Sequence, residues 1–242
     1  GWPDIFVSND YISNDLLYMN NGDGTFTDKA DAAFKHTSYS AMGNDIADMN
    51  NDGKADLVEV DMLPPDNYRK KMMLGATNNN RYRSEIQYGY TPQLMRNSLH
   101  LNQGLDDAGT PVFSEIAQLS GVAATDWSWS PLFADLDNDG WKDLVITNGY
   151  PRDITNRDFI NYRAQDLMQE HSSESLAKKR LAALQKLDGA LLPNFIFQNQ
   201  HNLRFRDVSA DWGFSQSAYS NGAAYADLDN DGDLDIIINN IN

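Results

Sequence analysis

The chain has 242 residues, 35 acidic against 19 basic, and the resulting charge of −16 argues against nucleic acid or an anionic membrane surface as a partner. Hydrophobic residues at 41% and aromatics at 11% suffice for a core, and the absence of cysteine excludes disulfides and thiolate metal sites. No apolar run approaches membrane-spanning length, which speaks against membrane insertion, and no signal peptide is visible.

In chain order, Gly1-Trp2-Pro3-Asp4 leads into the apolar run Ile5-Phe6-Val7. A hairpin follows at residues 17–28, where Asn21-Gly22 and Asp23-Gly24 are tight-turn signals between alternating strands. Asp48-Met49-Asn50-Asn51-Asp52-Gly53-Lys54-Ala55-Asp56 then precedes the strand-like run Leu57-Val58-Glu59-Val60. Residues 62–97 are polar and aperiodic, with Pro64-Pro65 and Asn78-Asn79-Asn80-Arg81-Tyr82-Arg83, and read as an ordered loop with short helical pieces. The hairpin returns at 100–104 and 112–115, and the nine-residue formula returns as Asp135-Leu136-Asp137-Asn138-Asp139-Gly140-Trp141-Lys142-Asp143 before Leu144-Val145-Ile146-Thr147.

Residues 149–193 have a helical character. Thr155-Asn156-Arg157-Asp158 resembles a capping box ahead of Phe159, Tyr162, Ala164 and Leu167. Ser172 or Ser173 is placed to cap a second helix with a Leu176, Leu181, Leu184, Leu187 stripe and Gly189 as its stop. A third hairpin lies at 197–207. The last nine-residue copy is Asp227-Leu228-Asp229-Asn230-Asp231-Gly232-Asp233-Leu234-Asp235, followed by Ile236-Ile237-Ile238-Asn239.

The formula is that of a cation loop. Oxygens at positions 1, 3 and 5 converge on a hard ion, glycine at position 6 permits the turn, position 7 offers its carbonyl and position 9 a closing carboxylate. The assigned ligands are Asp48, Asn50, Asp52, Lys54 (carbonyl) and Asp56; Asp135, Asp137, Asp139, Trp141 (carbonyl) and Asp143; and Asp227, Asp229, Asp231, Asp233 (carbonyl) and Asp235. Gly1–Asp4 reads as positions 6 to 9 of a fourth copy cut by the chain start, so Asp4 joins the set and the chain is expected to be a fragment. An EF-hand needs flanking helices and a glutamate at position 12, yet β-rich runs follow each loop, and Ile146 and Ile238 stand where Glu59 does. Ordinary Asp-Asn-Gly turns are the bland alternative, but repetition and the self-repulsion of crowded carboxylates favour calcium, three complete sites and a fourth truncated. Three such ions would bring the formal charge from −16 to −10. Asn50 in place of aspartate makes the Asp48 loop the expected weakest binder.

Repetition extends to whole units of four short antiparallel strands, which describes propeller blades. The expected division is a partial blade at 1–38, a blade at about 39–115 with the insertion 62–97, a blade at about 116–207 with the helical insertion 149–193, and the start of a further blade at 208–242. Strand direction puts the insertions on the face opposite the metal loops. Trp127 and Trp129 point the same way along a strand, and Trp127, matched by Ser40 and Tyr219 in the other units, occupies a repeat position that favours packing over a ligand platform.

These residues resemble the FG-GAP or VCBS repeat proteins, whose Asp-x-Asp-x-Asp-Gly-x-x-Asp loops also mark the integrin alpha-subunit propeller. The segments 226–235 and 20–26 are most similar to bacterial VCBS proteins that carry an ASPIC/UnbV domain. The resemblance implies an all-β fold of about three and a half blades of a seven-bladed-type propeller, calcium in the loops, and a role in adhesion or in binding a glycan or protein. It also implies an extracytoplasmic place, secreted or at the cell surface (outer membrane-associated if bacterial), with the open blade edges covered by remaining blades of a parent protein or by self-association. No enzyme is expected. His36, His100, His171 and His201 show no metal-ligand spacing, and no serine elbow or phosphate loop is present. The enzymatic alternative is a calcium-bearing polysaccharide lyase using Arg81, Tyr82, Arg83, Tyr88 and Tyr90.

Overall fold

The computed structural model describes residues 1–73, 79–161 and 173–241. It is an all-β architecture of several mainly antiparallel sheets with few helices. Sheet one joins β1 (Ile5–Val7), β2 (Leu16–Asn20) and β3 (Phe26–Asp28) in that order, and the helical turn α1 (Ala30–Ala33) follows. After the short β4 (Thr37–Ser38), sheet two begins with β5 (Gly43–Ala47) and β6 (Asp56–Val60). The first insertion holds α2 (Asn67–Met72), α3 (Asn79–Gln87) and β7 (Gln93–Leu94), which pairs in parallel with β4. Sheet two closes with β8 (Ser98–Leu105) and β9 (Pro111–Glu115), and α4 (Ala117–Ser120) stands where α1 stood.

Sheet three repeats this with β10 (Ser128–Ala134), β11 (Asp143–Asn148), β13 (Phe195–Asn199) and β14 (Phe205–Asp207). Its insertion contains α5 (Ser173–Gln185) and β12 (Leu192–Pro193), which pairs with β15 (Ser217–Ala218). Sheet four is the hairpin of β16 (Ser220–Ala226) and β17 (Asp235–Asn240).

Successive sheets stack face to face: β10 lies on β5 and β6, and β16 lies on β10 and β11. This explains why β6 and β11 read as continuous apolar runs, since both are buried on both faces. Their period of two still sorts the side chains. Leu57 faces the cluster of Leu17, Phe34 and Phe113 beside sheet one, whereas Val58 and Val60 face Phe133, Leu144 and Ile146 of sheet three. Val145 points the other way, to Ile196, Val208 and Ile236. Each such side chain contributes roughly 1.5–3 kcal/mol. Gly43 marks the closeness of the stack, because a Cβ there would lie 2.3 Å from the Trp129 carbonyl oxygen.

Some helical expectations need correction. The cap at the start of the second insertion is Asn156, whose Oδ1 accepts from the Asp158 and Phe159 amides, while the Thr155 hydroxyl turns back to Asp153. Tyr162, Ala164, Leu167, Ser172 and the Leu176 side chain lie outside the described residues. Leu181 is 58% exposed, so the expected leucine stripe is not a buried face there. Helix α5 ends at Gln185, and Gly189 serves close approach instead, since a Cβ would meet the Tyr219 hydroxyl at 2.4 Å.

Candidate metal centre

The three complete loops share one backbone. Position 4 is asparagine each time and left-handed, with φ 57° at Asn51, 57° at Asn138 and 60° at Asn230, and the glycine at position 6 follows at 82°, 87° and 97°. Asparagine tolerates that region better than most residues and glycine adopts it freely, so these two choices set the turn. Position 1 braces it from within. Asp48 accepts from the Asp52 and Gly53 amides at 3.0 and 2.8 Å, Asp135 from Asp139 and Gly140 at 3.1 and 3.0 Å, and Asp227 from Asp231 and Gly232 at 3.2 and 3.1 Å. Position 5 accepts from the amide of position 7, Lys54, Trp141 or Asp233.

Carboxylate oxygens converge as a result. Those of Asp135, Asp137 and Asp139 lie within 4.8 Å of one another, and so do those of Asp227, Asp229 and Asp231. Loop one presents Asp48 and Asp52 with the Asn50 amide between them. Neighbouring side chains already engage some of these oxygens. Lys54 Nζ is 2.7 Å from Asp52 and draws its carboxyl below the usual range. Gln198 donates to Asp137 at 2.7 Å, and His201 Nε2 lies 2.6 Å from Asp139 with its ring stacked on Trp141.

Position 9 stands apart from the converging trios. Its Oδ2 accepts from the amide of position 2, from Met49 to Asp56, Leu136 to Asp143 and Leu228 to Asp235. Its Oδ1 accepts from the backbone amide of an asparagine in the third strand of the sheet, Asn102 for Asp56 and Asn199 for Asp143, at 2.8 Å each. Each oxygen keeps a further lone pair, so the residue braces the loop first and remains available to a cation. Asp56 and Asp143 are buried, and burial raises both carboxyls, that of Asp143 to about 6 with Asp137 and Asp139 adding repulsion.

The third-strand asparagine is the residue that sequence reasoning underused. In three of the four copies its side-chain amide donates to the carbonyl of position 8, Asn20 to Pro3, Asn102 to Ala55 and Asn199 to Lys142, each at 3.0 Å. Its oxygen accepts from the amide two residues on, that of Gly22, Gly104 or His201. Asp4 accepts from the Asn20 amide at 2.8 Å, which gives it the same contact as Asp56 and Asp143. Superposing the three hairpin sequences also reveals His201 as the one non-glycine at that left-handed place, with φ 59°.

An all-oxygen donor set on such a loop fits a hard divalent cation of calcium's kind. Glu59, the position that an EF-hand would require, is fully buried in β6 and accepts from the Ser38 amide, away from the loop. His100 is likewise a core residue.

The insertions leave the opposite end of the strands, because β6 and β11 run from the loop end toward them. Arg69 of α2 docks there, bidentate on Asp126 at 2.8 and 2.9 Å and on Asp153 at 2.6 Å. Arg81 sits 4.7 Å from both the Tyr11 and Tyr39 rings and pairs with Glu85, so it is part of the packing. Tyr82, Tyr88 and Tyr90 are exposed. Trp127 is 5% exposed and stacks on Tyr150 at 4.3 Å, a packing residue as its repeat position predicts. Among the described residues, no helix is long and apolar enough to cross a membrane.

No curated protein matches the chain. The family model described as FG-GAP-like repeat matches residues 1–59, a span that takes in sheet one, loop one and most of β6. Residues 1–59 are therefore similar to an FG-GAP-like repeat, which suggests a β-propeller-type module.

Proposed function

We propose that the chain is a calcium-binding β-propeller module of a secreted or cell-surface protein, with structural calcium on one face and glycan or protein binding in adhesion on the other. The observation that carries this reading is the shared loop conformation, Asn in the left-handed region at position 4 and glycine at position 6, which draws oxygens of positions 1, 3 and 5 together. Stacked sheets that each add a loop at the same strand end suit propeller blades, about three and a half here, with the remaining blades from a parent protein or a second copy. A cation in each loop would replace carboxylate repulsion by coordination and hold the first two strands of the blade in register. The insertion face, with exposed Tyr82, Tyr88 and Tyr90, is the recognition surface in this reading.

Calorimetric titration with calcium tests it. About three ions per chain are expected, and absence of binding overturns the reading. Glycan and protein screens with Tyr82→Ala and Tyr88→Ala test the recognition face. A ligand whose binding ignores both substitutions places recognition elsewhere.

A further inference from the structure

We propose that neighbouring metal loops are energetically coupled, so that a cation held in one raises the affinity of the loop before it in the chain. This rests on the calcium reading above and adds regulation to the same sites.

Position 4 is the relay. Asn51 lies between the ligands Asn50 and Asp52, and its side-chain amide crosses to the carbonyl of Gly140 in loop two at 3.0 Å. Asn138, between Asp137 and Asp139, crosses in the same way to the Asp233 carboxylate of loop three at 2.6 Å. Each acceptor sits on the turn that carries its loop's ligands, the Gly140 carbonyl at position 6 of loop two and the Asp233 side chain at position 7 of loop three. Gly140 is tied by its amide to Asp135, and Asp233 by its amide to Asp231. A second bridge joins loops one and two: the Asn199 side chain donates both to Lys142 of loop two and to Met49 of loop one, at 3.0 and 2.8 Å, while its amide holds Asp143. A filled loop thus fixes the acceptor that pins the left-handed residue of the preceding loop. Less ordering remains to be done when that loop binds its own ion. Linkage makes the effect reciprocal. Repulsion between bound ions opposes it, and salt near 0.15 M, where screening acts over about 8 Å, reduces that opposition.

Trp141 makes loop two separately readable. Terbium held there is sensitised by the adjacent indole, a signal that Trp141→Phe removes, and calcium affinity follows from displacing it. Asn138→Gly keeps the left-handed backbone and deletes only the side-chain bond to loop three. Asp229→Ala with Asp231→Ala disables loop three. Each change is expected to lower the affinity of loop two about fivefold or more, and combining them gives no further loss. The proposal is overturned if loop two keeps its affinity when loop three is disabled, or if Asn138→Gly weakens it equally with and without the loop-three ligands. Failure of the unaltered chain to bind terbium or calcium removes the calcium reading instead.

Discussion

Asn199 joins three parts of the molecule through one amide, donating to Met49 and Lys142 and accepting from His201, and it is only 5% exposed. Asn199→Ala strands buried carbonyls and is expected to cost roughly 1–3 kcal/mol in urea unfolding, while the same change at the half-buried Asn20 costs less. Equal losses would show that burial does not set the value of this staple. A second residue-scale effect concerns pH. Burial pushes Asp15, Glu59 and Asp61 each up to about 7, with Glu59 repelling Asp15 in addition. The folded chain therefore holds protons that the unfolded chain has released, and these three groups remove stability as pH rises from about 4 to about 7. His100, pushed down to about 4 by burial, acts in the opposite sense up to its ordinary 6.5. Burial would raise Glu115, but His36, the Ala117 and Leu99 amides and Arg96 outweigh it and hold it at about 2, so its contribution is lost only in acid. Glu59→Gln, measured with chelator present, is expected to flatten the decline and to stabilise the chain at pH 8 by about 1–3 kcal/mol. Parallel pH profiles for the two proteins would contradict this. The loop ligands were legible one by one because each sits at a fixed offset in a repeated formula. The buried acids were not, since Glu59 reads as a polar interruption of a strand until its neighbours Ser38 and Asp15 are brought beside it by tertiary packing.

At the scale of elements, Arg69 alone ties α2 to two acids, and Asp126 is held left-handed at φ 62° beside it. Arg69→Ala is expected to destabilise by about 1–3 kcal/mol, discounted for the partial exposure of the arginine, and to speed amide exchange in α2 above all. Exchange that rises uniformly over the chain would refute a local docking role. Among the loops, Asn50 supplies one charge fewer and Lys54 already neutralises Asp52, so loop one is predicted to bind calcium most weakly. Site-resolved titration that finds the three loops equal would contradict this. Helices α1 and α4 escaped sequence reading because four residues carry no periodicity. They arise from the acid of the sheet's last strand, Asp28 or Glu115, which accepts from the Ala30 or Ala117 amide and from the strand before it at Leu17 or Leu99. Asp207 reaches the equivalent Ile196 through the Ser209 hydroxyl. Gly189 misled for a related reason, since a glycine after a leucine stripe reads as a stop whether its true constraint is backbone conformation or, as here, the Tyr219 ring.

At the scale of the whole molecule, the all-β class and the unit of two alternating hairpins were legible because period two, turn chemistry and the Asp-rich formula recur together. The stacking order was legible only in part. Leu57 and Val58 look alike in sequence, yet they belong to different cores on opposite faces of sheet two. If cations hold the loop ends of these stacked sheets, thermal unfolding in excess calcium and in excess chelator must differ. Because ligand binding to the folded state adds RT ln(1 + [L]/Kd) per site, three sites at a hundredfold excess over Kd predict a gain of about 8 kcal/mol and a large rise in Tm. An unchanged Tm would mean that the Asp-rich loops are held by their internal hydrogen bonds alone, and that the sheets stack without metal.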